Sequence, residues 1–350
     1  MTALRDTTIL VVGGAGFVGG NLVRRALADG TEGVVVVDNF LSSERQNLPD
    51  DERVSMHEGS IADDAILAEL GDEFDYVFHL ATYHGNQSSI ADPLADHDHN
   101  LITTLKLCEH VKGFTRLRKL VYAASGCTLA EHTLDEARAT TEDGQVPLDL
   151  DSPYQISKVV GEFYSVYYHR QHGLPTVRAR FQNVYGPGEI LGAGRWRGTP
   201  ATVWRNVVPT FVYRAVKQLP LELDNAGAAS RDFIYVADIV RGLVLCAERG
   251  TPGDVYNLAS GTETSILELA ELVNELSRNP TPPVVRQARA WDRSGKRFGS
   301  TEKGRRELGF TAEVPLEEGL QTTIDWTRRN LELIDACIGR HAHLLPAGHA

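Results

Sequence analysis

The fold of this chain is decided by the stretch Val12-Gly13-Gly14-Ala15-Gly16-Phe17-Val18-Gly19. It follows the apolar, largely β-branched run Thr8–Val12, which is typical of a strand buried on both faces of a parallel sheet. After it, apolar residues recur at helical spacing as far as Gly30, a common helix stop. Glycines at 13, 16 and 19 allow a tight turn, a close approach of the backbone to a diphosphate, and close packing of helix on strand. The stretch therefore predicts a strand, a turn and a helix that together hold a dinucleotide.

An acidic residue at the end of the next apolar run sharpens this prediction. The run Gly33–Asp38 is a second buried strand, and Asp38 lies roughly 20 residues after Gly19, where a dinucleotide site places a carboxylate for the adenosine ribose hydroxyls. The same carboxylate would repel a ribose phosphate. We therefore expect NAD rather than NADP.

The composition is that of a globular protein with an acidic surface. The 350 residues are 42% hydrophobic and 23% charged, and the formal net charge is −12. This charge opposes nucleic acid and acidic membranes, so neither is expected as a partner, and no apolar run reaches transmembrane length. Four cysteines lie far apart, which argues against a metal site and a disulfide framework and favours the reducing cytoplasm.

Strand and helix patterns alternate through the first half of the chain, which predicts an α/β fold: a Rossmann-type, doubly wound parallel sheet with a smaller C-terminal α/β substrate lobe. The further strands are predicted at residues 53–59, 75–81, 119–125 and 175–185. The further helices are predicted at residues 63–70, 93–112, 153–171 and 315–338, and residues 82–93 are predicted as a polar loop.

The alternation becomes irregular after residue 185 and then returns, so we expect the two lobes to be interleaved. The NAD-binding domain is predicted to comprise residues 1–185 and about 232–262. The substrate lobe is predicted to comprise about 186–231 and 263–345, followed by a tail at 346–350.

Ser125, Tyr154 and Lys158 form the predicted catalytic group. Tyr154 and Lys158 are four residues apart on a predicted helix, so their side chains share one face. An ammonium beside a phenol favours the phenolate, so Lys158 and an oxidised nicotinamide together would lower the pKa of Tyr154 and make it a base. Ser125 ends a predicted strand at the same edge of the sheet and would polarise the reacting sugar oxygen. The three residues predict a hydride-transfer site.

The chain resembles the extended short-chain dehydrogenases/reductases of the nucleotide-sugar epimerase and dehydratase family over nearly its whole length. The motifs that carry the resemblance are Gly13 to Gly19, Asp38-Asn39, His79-Leu80-Ala81, Asn100, Ser125, Tyr154-x-x-x-Lys158, Arg180 to Pro187, and Ser230 to Asp238.

The resemblance implies a tightly held NAD and a homodimer built on the helices after the fourth and fifth strands. The residues predicted to bind the cofactor are Gly13, Gly16, Phe17, Val18, Gly19, Asp38, Asn39, Ser60, Ile61, Leu80, Ala81, Asn100, Tyr154 and Lys158.

The resemblance also implies that Asn183, Arg231 and Arg297 touch the diphosphate or nucleotide of the substrate. In the polar loop, His84 and Asn86 would recognise sugar hydroxyls. The insertion 189–198 carries two arginines that would suit a sugar carboxylate, a diphosphate or solvent alone. The remaining residues predicted to bind substrate are Ser125, Gly126, Val208, Arg195 and Arg197.

The residues after Ser125 depart from the family pattern. Dehydratases of the family usually have Asp-Glu there, and decarboxylases have Glu where this chain has Cys127, so both activities are disfavoured. The spacing Ser125-x-Cys127 resembles GDP-mannose 3,5-epimerase, in which that cysteine exchanges protons. Cys127 is therefore a candidate acid or base, and packing of a small side chain is an equal alternative.

These features predict an NAD-dependent nucleotide-sugar epimerase. The favoured reaction is inversion at C4 of a UDP-hexose or a UDP-hexuronic acid, such as UDP-glucuronate or UDP-galacturonate, through a 4-keto intermediate. The alternatives are a 3,5-epimerase that uses Cys127, a nucleotide-sugar dehydratase or decarboxylase, and a non-catalytic sensor of NAD or of a nucleotide sugar.

Overall fold

A computed structural model describes residues 3–129, 135–287 and 295–345. The predicted tail at 346–350 lies outside these residues. The strands are β1 (Thr8–Val12), β2 (Gly33–Asp38), β3 (Val54–Glu58), β4 (Tyr76–His79), β5 (Lys119–Ser125), β6 (Ala139–Thr140), β7 (Thr176–Phe181), β8 (Asn183–Tyr185), β9 (Glu222–Asp224), β10 (Ser230–Arg231), β11 (Phe233–Tyr235), β12 (Val255–Leu258), β13 (Thr264–Ser265), β14 (Val284–Arg286) and β15 (Phe298–Gly299).

The helices follow the predicted pattern closely at the start of the chain, where α1 ends at Gly30 in a left-handed conformation. They are α1 (Phe17–Asp29), α2 (Asp64–Glu69), α3 (Asn86–Ala91), α4 (Pro93–Asp96), α5 (Thr103–Val111), α6 (Pro153–His172), α7 (Val207–Val216), α8 (Val236–Arg249), α9 (Ile266–Ser277), α10 (Leu316–Arg329) and α11 (Leu331–Gly339). A π-helical turn at His97–Ile102 joins α4 to α5. Within the described ranges, every helix is too short or too polar to cross a lipid bilayer.

Seven parallel strands form the central sheet, in the order β12-β7-β5-β4-β1-β2-β3. Their apolar runs are buried on both faces because side chains alternate between the two sides of a strand. Val11 and Val36 pack towards α1 and α8, whereas Leu10 and Val37 pack towards α5 and α6. The predicted doubly wound parallel sheet is confirmed.

Three predicted elements differ from the structure. The strand predicted at 175–185 is two strands, because β7 pairs with β5 and β12 whereas β8 leaves the sheet after Gln182 and pairs with β11. The helix predicted at 315–338 is broken at Asn330, whose side chain donates to the carbonyl of Trp326 instead of continuing the helix. The loop predicted at 82–93 contains the short helix α3.

A further apolar cluster lies beyond the sheet, where α7, α9 and α10 pack around Val212, Leu269 and Ile324. It is built largely from residues predicted to form the substrate lobe. The exact division of the chain into an NAD-binding domain and an interleaved substrate lobe stays a prediction.

Candidate active site

A cavity of about 650 Å³ follows the carboxyl edge of the sheet, where strands of a doubly wound fold present their ligand-binding residues. It starts at the glycine turn between β1 and α1, passes the ends of β4 and β5, and reaches Arg231 and Arg297. The predicted site residues in its wall are Gly13, Gly16, Phe17, Val18, Gly19, Asp38, Asn39, Ser60, Ile61, Leu80, Ala81, His84, Asn86, Ser125, Cys127, Tyr154, Lys158, Asn183, Val208, Arg231 and Arg297.

The glycine turn has the geometry that a diphosphate requires. Gly13 has a φ of +86°, and a Cβ atom there would lie 2.6 Å from the amide nitrogen of Ala81. A Cβ atom on Gly19 would lie 2.2 Å from the carbonyl oxygen of Gly13. The first turn of α1 has no side-chain cap and its residues Phe17, Val18 and Gly19 line the cavity, which is the setting in which helix N–H groups bind an anion.

Asp38, at the end of β2, stabilises this turn through hydrogen bonds. Its Oδ2 accepts from the backbone N–H of Ala15 at 2.9 Å, and its Oδ1 accepts from the N–H of Phe40 and the hydroxyl of Ser43. Burial raises the pKa of this carboxyl, and these three hydrogen bonds, with a fourth from the backbone of Gly16, oppose that rise. Asp38 lies in the cavity wall at the end of β2, where a dinucleotide site places the carboxylate that accepts from a ribose hydroxyl. The glycine cradle and Asp38 therefore fit NAD.

Tyr154 and Lys158 are presented by α6, which begins at Pro153. Ser152 caps this helix by accepting from the N–H of Gln155. The Nζ atom of Lys158 donates to the carbonyl of Ala123 on β5 at 3.0 Å and lies 5.9 Å from the centre of the Tyr154 ring. Because β5 also ends in Ser125, the strand and the helix bring the three predicted catalytic residues to one place in the cavity.

Burial shifts the pKa values of both Tyr154 and Lys158. Burial raises the pKa of its phenol, although hydrogen bonds with Ser125 and Thr82 oppose the rise. Burial also lowers the pKa of Lys158 to about 8, with the Asp96 carboxylate opposing that change. Burial is therefore the largest influence on the pKa of Tyr154 within the chain.

Cys127 lies beside Ser125, the serine predicted to be catalytic. Its Sγ atom is 2.9 Å from the Oγ atom of Ser125, and either atom can be the donor. The side chain is partly exposed and faces the cavity. A thiol therefore stands one hydrogen bond away from the hydroxyl that would polarise the sugar oxygen.

Four predicted site residues lie outside the cavity wall. Asn100 uses its side chain to hold Thr82, Tyr83 and Asp96. The backbone at Gly126 packs against the side chain of Gln182. The two arginines of the insertion turn towards the loop after β2. Arg195 donates a hydrogen bond to the carbonyl of Asn39, and Arg197 donates one to the carbonyl of Leu41.

Backbone contacts of the insertion 189–198 explain why Arg195 and Arg197 lie outside the cavity wall. Gly194 donates its N–H to the Glu44 carboxylate at 3.0 Å, and the backbone N–H of Arg195 donates to the carbonyl of Leu41 at 3.0 Å. A Cβ atom at 194 would lie 2.3 Å from that same carbonyl oxygen. The insertion is thus fastened to the loop that follows Asp38, and its two arginines face that loop instead of the cavity.

The cavity wall also contains charged residues that the sequence did not single out. Glu189 is 5% exposed, accepts from the side chain of Asn206 through Oε1, and has a pKa raised by burial to about 7. Arg205 donates to the carbonyls of Ser42 and Ala193 at 2.9 and 2.7 Å. No spacing or motif distinguished these residues from an ordinary loop, so sequence reasoning had no signal for them.

The far end of the cavity is suited to a nucleotide. Arg231 is 9% exposed and donates to the carbonyls of Ser230 and Gly295, both at 2.6 Å. The aromatic rings of Phe211 and Phe233 offer stacking surface beside it. The other residues of this end are Asn183, Val208, Arg214, Asp224, Ile266 and Arg297.

Known proteins resemble this chain in sequence and in fold. A family model described as the NAD dependent epimerase/dehydratase family matches residues 9–259. UDP-glucose 4-epimerase of Mycolicibacterium smegmatis is 32% identical over 323 residues, which cover 91% of this chain and 98% of that protein. UDP-glucuronic acid decarboxylase 1 of Arabidopsis thaliana is 29% identical over 327 residues, covering 92% of this chain and 70% of that protein.

Among solved structures, the Bordetella bronchiseptica enzyme WbmF in complex with NAD+ and UDP superposes with a TM-score of 0.88 at 59% identity, and 98% of each chain is covered. The match of the family model extends over most of the central sheet and includes Ser125, Tyr154 and Lys158. The chain therefore belongs to the NAD dependent epimerase/dehydratase family, and its cofactor is NAD, as the glycine turn and Asp38 predicted.

Proposed function

We propose that this enzyme inverts C4 of a UDP-linked hexose or hexuronic acid through a 4-keto intermediate. The observation that carries the proposal is the convergence of Ser125, Tyr154 and Lys158 on one cavity that runs from the NAD cradle to a nucleotide end. The UDP bound to WbmF supports UDP as the nucleotide, and the UDP-glucose 4-epimerase relative supports C4 as the carbon that is inverted.

Each catalytic side chain has a distinct role. Bound NAD supplies the hydride acceptor and donor. The Ser125 hydroxyl donates a hydrogen bond to the C4 oxygen and polarises it, and Tyr154 takes the proton of the C4 hydroxyl. Lys158, fixed by the carbonyl of Ala123, places a positive charge beside Tyr154 that stabilises the phenolate as it forms.

Isotope exchange tests the proposal. In deuterated water, we expect UDP-glucose or UDP-glucuronate to be converted into its C4 epimer with no solvent deuterium on the sugar carbons, because the same hydride is removed and returned. Mass spectrometry and proton NMR of the product measure this. A Tyr154→Phe sample is the control for non-enzymatic exchange.

One observation favours a second candidate, a 3,5-epimerase. The 2.9 Å contact of Cys127 with Ser125 places a thiol within reach of the sugar. If deuterium enters C3 or C5 and the Cys127→Ala variant abolishes that labelling, the 3,5-epimerase replaces the C4 epimerase. Dehydratase and decarboxylase activities lack the carboxylates expected after Ser125, where this chain has Gly126 and Cys127.

We also propose a homodimer. The helices that follow β4 and β5 in the chain carry an exposed apolar face. Its residues on α3, α4 and α6 are 42–78% exposed: Ile90, Leu94, Ile156, Phe163 and Tyr167. Burying such a face in a second copy is favourable. We expect Phe163→Glu to shift the sedimentation coefficient from dimer to monomer. Leu219→Glu, at a leucine that is 42% exposed and follows α7, away from this face, is the control and leaves the dimer intact.

A further inference from the structure

A buried carboxylate lies close to the predicted catalytic residues. Asp96, the last residue of α4, is 0% exposed. One of its oxygens accepts from Asn100 Nδ2 at 2.7 Å, and the other accepts from the Ser157 hydroxyl at 2.6 Å. Both oxygens thus serve as acceptors, as in an ionised carboxylate, and neither donor is charged. A buried carboxylate is costly unless a positive charge compensates it, so Asp96 requires a cation nearby.

Lys158 is the cation that acts on this carboxylate. Ser157, which donates to Asp96, directly precedes Lys158 on α6. Burial raises the pKa of Asp96, and its two hydrogen bonds, Lys158 and His97 oppose that rise. Burial lowers the pKa of Lys158 to about 8, and Asp96 has the largest effect in the opposite direction. Each of the two groups therefore stabilises the charged form of the other.

The second carboxylate that acts on Lys158 is that of Glu162, one turn further along α6. Glu162 is already neutralised, because Arg180 donates to both of its oxygens at 2.8 Å and Arg178 donates to one of them at 3.3 Å. Asp96 has no such arginine partner among the described residues. It is therefore the carboxylate whose charge is left to balance Lys158.

The other titratable groups that face Lys158 are not carboxylates. Burial lowers the pKa of His79 and of His84 to about 3, so both imidazoles are neutral at physiological pH. Burial also raises the pKa of Tyr122, whose ring centre lies 5.3 Å from the Lys158 Nζ atom. The remaining groups are the Cys127 thiol and the Tyr154 phenol.

Asp96 is also linked to the hydroxyl of Tyr154. Asn100, whose Nδ2 donates to Asp96, accepts from the Thr82 hydroxyl at 2.9 Å through its Oδ1. The backbone N–H of Tyr83 donates to the same Oδ1 at 2.8 Å, which fixes the orientation of the amide because an N–H group can only donate. Thr82 in turn is hydrogen-bonded to Tyr154. A chain of three hydrogen bonds therefore joins Asp96 to the predicted base.

We propose that Asp96 is a positioning residue of the hydride-transfer site, and that its buried carboxylate keeps Lys158 cationic beside Tyr154. This inference rests on the proposed function, which assigns Tyr154 as the base. An ammonium stabilises the phenolate as it forms, whereas a neutral amine does not. Asp96 lies outside the cavity wall, so it acts through Lys158 and not on the substrate.

Carbon-13 NMR of the NAD-bound enzyme measures the charge of Lys158 directly. The chain has seven lysines, so lysine labelled at Cε gives few signals, and the Lys158→Met variant identifies the signal of Lys158. We expect Asp96→Asn, a change of similar volume, to lower the pH at which Lys158 titrates by about one unit, the effect of losing a nearby opposite charge. An unchanged titration of Lys158 in Asp96→Asn overturns the inference.

Two further variants separate the charge of Asp96 from its hydrogen bonds. Ser157→Ala removes one hydrogen bond to Asp96 but keeps the carboxylate, so it should move the titration of Lys158 much less than Asp96→Asn does. Asp75→Asn makes the same change at a carboxylate that is 1% exposed and precedes β4, at the opposite edge of the sheet, and should not move it. An equal shift in Ser157→Ala would show that packing, not charge, is responsible.

Melting temperatures provide a second measurement, by differential scanning calorimetry with saturating NAD. In the wild-type background, Asp96→Asn removes the partner of a buried ammonium and should lower the melting temperature. In the Lys158→Met background, the same change removes an uncompensated buried carboxylate and should raise the melting temperature. The second comparison holds even where Asp96→Asn alone does not fold. A double variant that melts no higher than Lys158→Met overturns the inference.

The pH profile of kcat connects the pair to catalysis. We expect kcat on UDP-glucose to fall on the alkaline side, where Lys158 loses its proton, and Asp96→Asn to move this fall to lower pH. A purely structural role would lower kcat equally at every pH, and that result overturns the inference. A shifted titration of Lys158 in an enzyme that epimerises neither UDP-glucose nor UDP-glucuronate supports the pairing of Asp96 with Lys158 and rejects the proposed function.

Discussion

Replacing Tyr154 with phenylalanine is expected to lower kcat about 1,000-fold or more, the range that loss of a positioned general base produces. Phenylalanine keeps the ring that lies 5.9 Å from Lys158 and removes only the hydroxyl that would take the sugar proton. The KM for the substrate should change little, because the side chains proposed to recognise the sugar and the nucleotide stay in place. Steady-state kinetics on UDP-glucuronate and UDP-glucose measure both constants.

A matched control is available on the same helix. Tyr164→Phe also removes one hydroxyl from α6, but Tyr164 packs against the core beneath the sheet and lies outside the cavity wall. This variant should retain wild-type kcat. A Tyr154→Phe enzyme that kept more than a tenth of wild-type kcat would show that another group takes the proton, and the thiol of Cys127 would be the first to examine.

Replacing Gly19 with alanine is expected to abolish NAD binding. The added methyl group would lie 2.2 Å from the carbonyl oxygen of Gly13 and 2.7 Å from the Cα atom of Gly14, so the backbone of the turn must move. The N–H groups at the start of α1 move with it, and they are the donors proposed for the diphosphate. We expect less than about a tenth of the wild-type NAD content and a melting temperature lower by about 5 °C, the size of a strained substitution in the core.

Gly113→Ala serves as the control for this experiment, because a Cβ atom at position 113 would meet no heavy atom within 4 Å. Absorbance and mass spectrometry of the extracted cofactor give the NAD content, and differential scanning calorimetry gives the melting temperature. If Gly19→Ala were purified with full NAD occupancy, the turn would not be the diphosphate cradle.

The parts of the site that depend on local pattern could be predicted from the sequence. The glycine turn, Asp38 at the end of β2 and Ser125 at the end of β5 each follow a buried apolar strand, and the edge of a parallel sheet then places them together. The pair Tyr154 and Lys158 shares one helix face because four residues span about one turn.

Other parts depend on how distant segments meet, and no local pattern encodes that. Arg195 and Arg197 were predicted to bind substrate, with a sugar carboxylate, a diphosphate or solvent as their possible partners. The direction of their insertion is set by hydrogen bonds to Leu41 and Glu44, which are about 150 residues away in sequence. Arg205 is likewise oriented by a distant segment, because it donates to the carbonyl of Ser42 as well as to that of nearby Ala193. The raised pKa of Tyr154 arises from burial, which appears only once the chain is folded.

The fastening of the insertion to the loop after Asp38 has a consequence for which positions can change during evolution. Leu41 and Ser42 take part through their backbone carbonyls, so almost any side chain could replace theirs without breaking the attachment. Gly194 has no such freedom, because its Cα must approach a carbonyl oxygen more closely than any side chain permits. Variation at positions 41 and 42 should therefore be tolerated where variation at 194 is not.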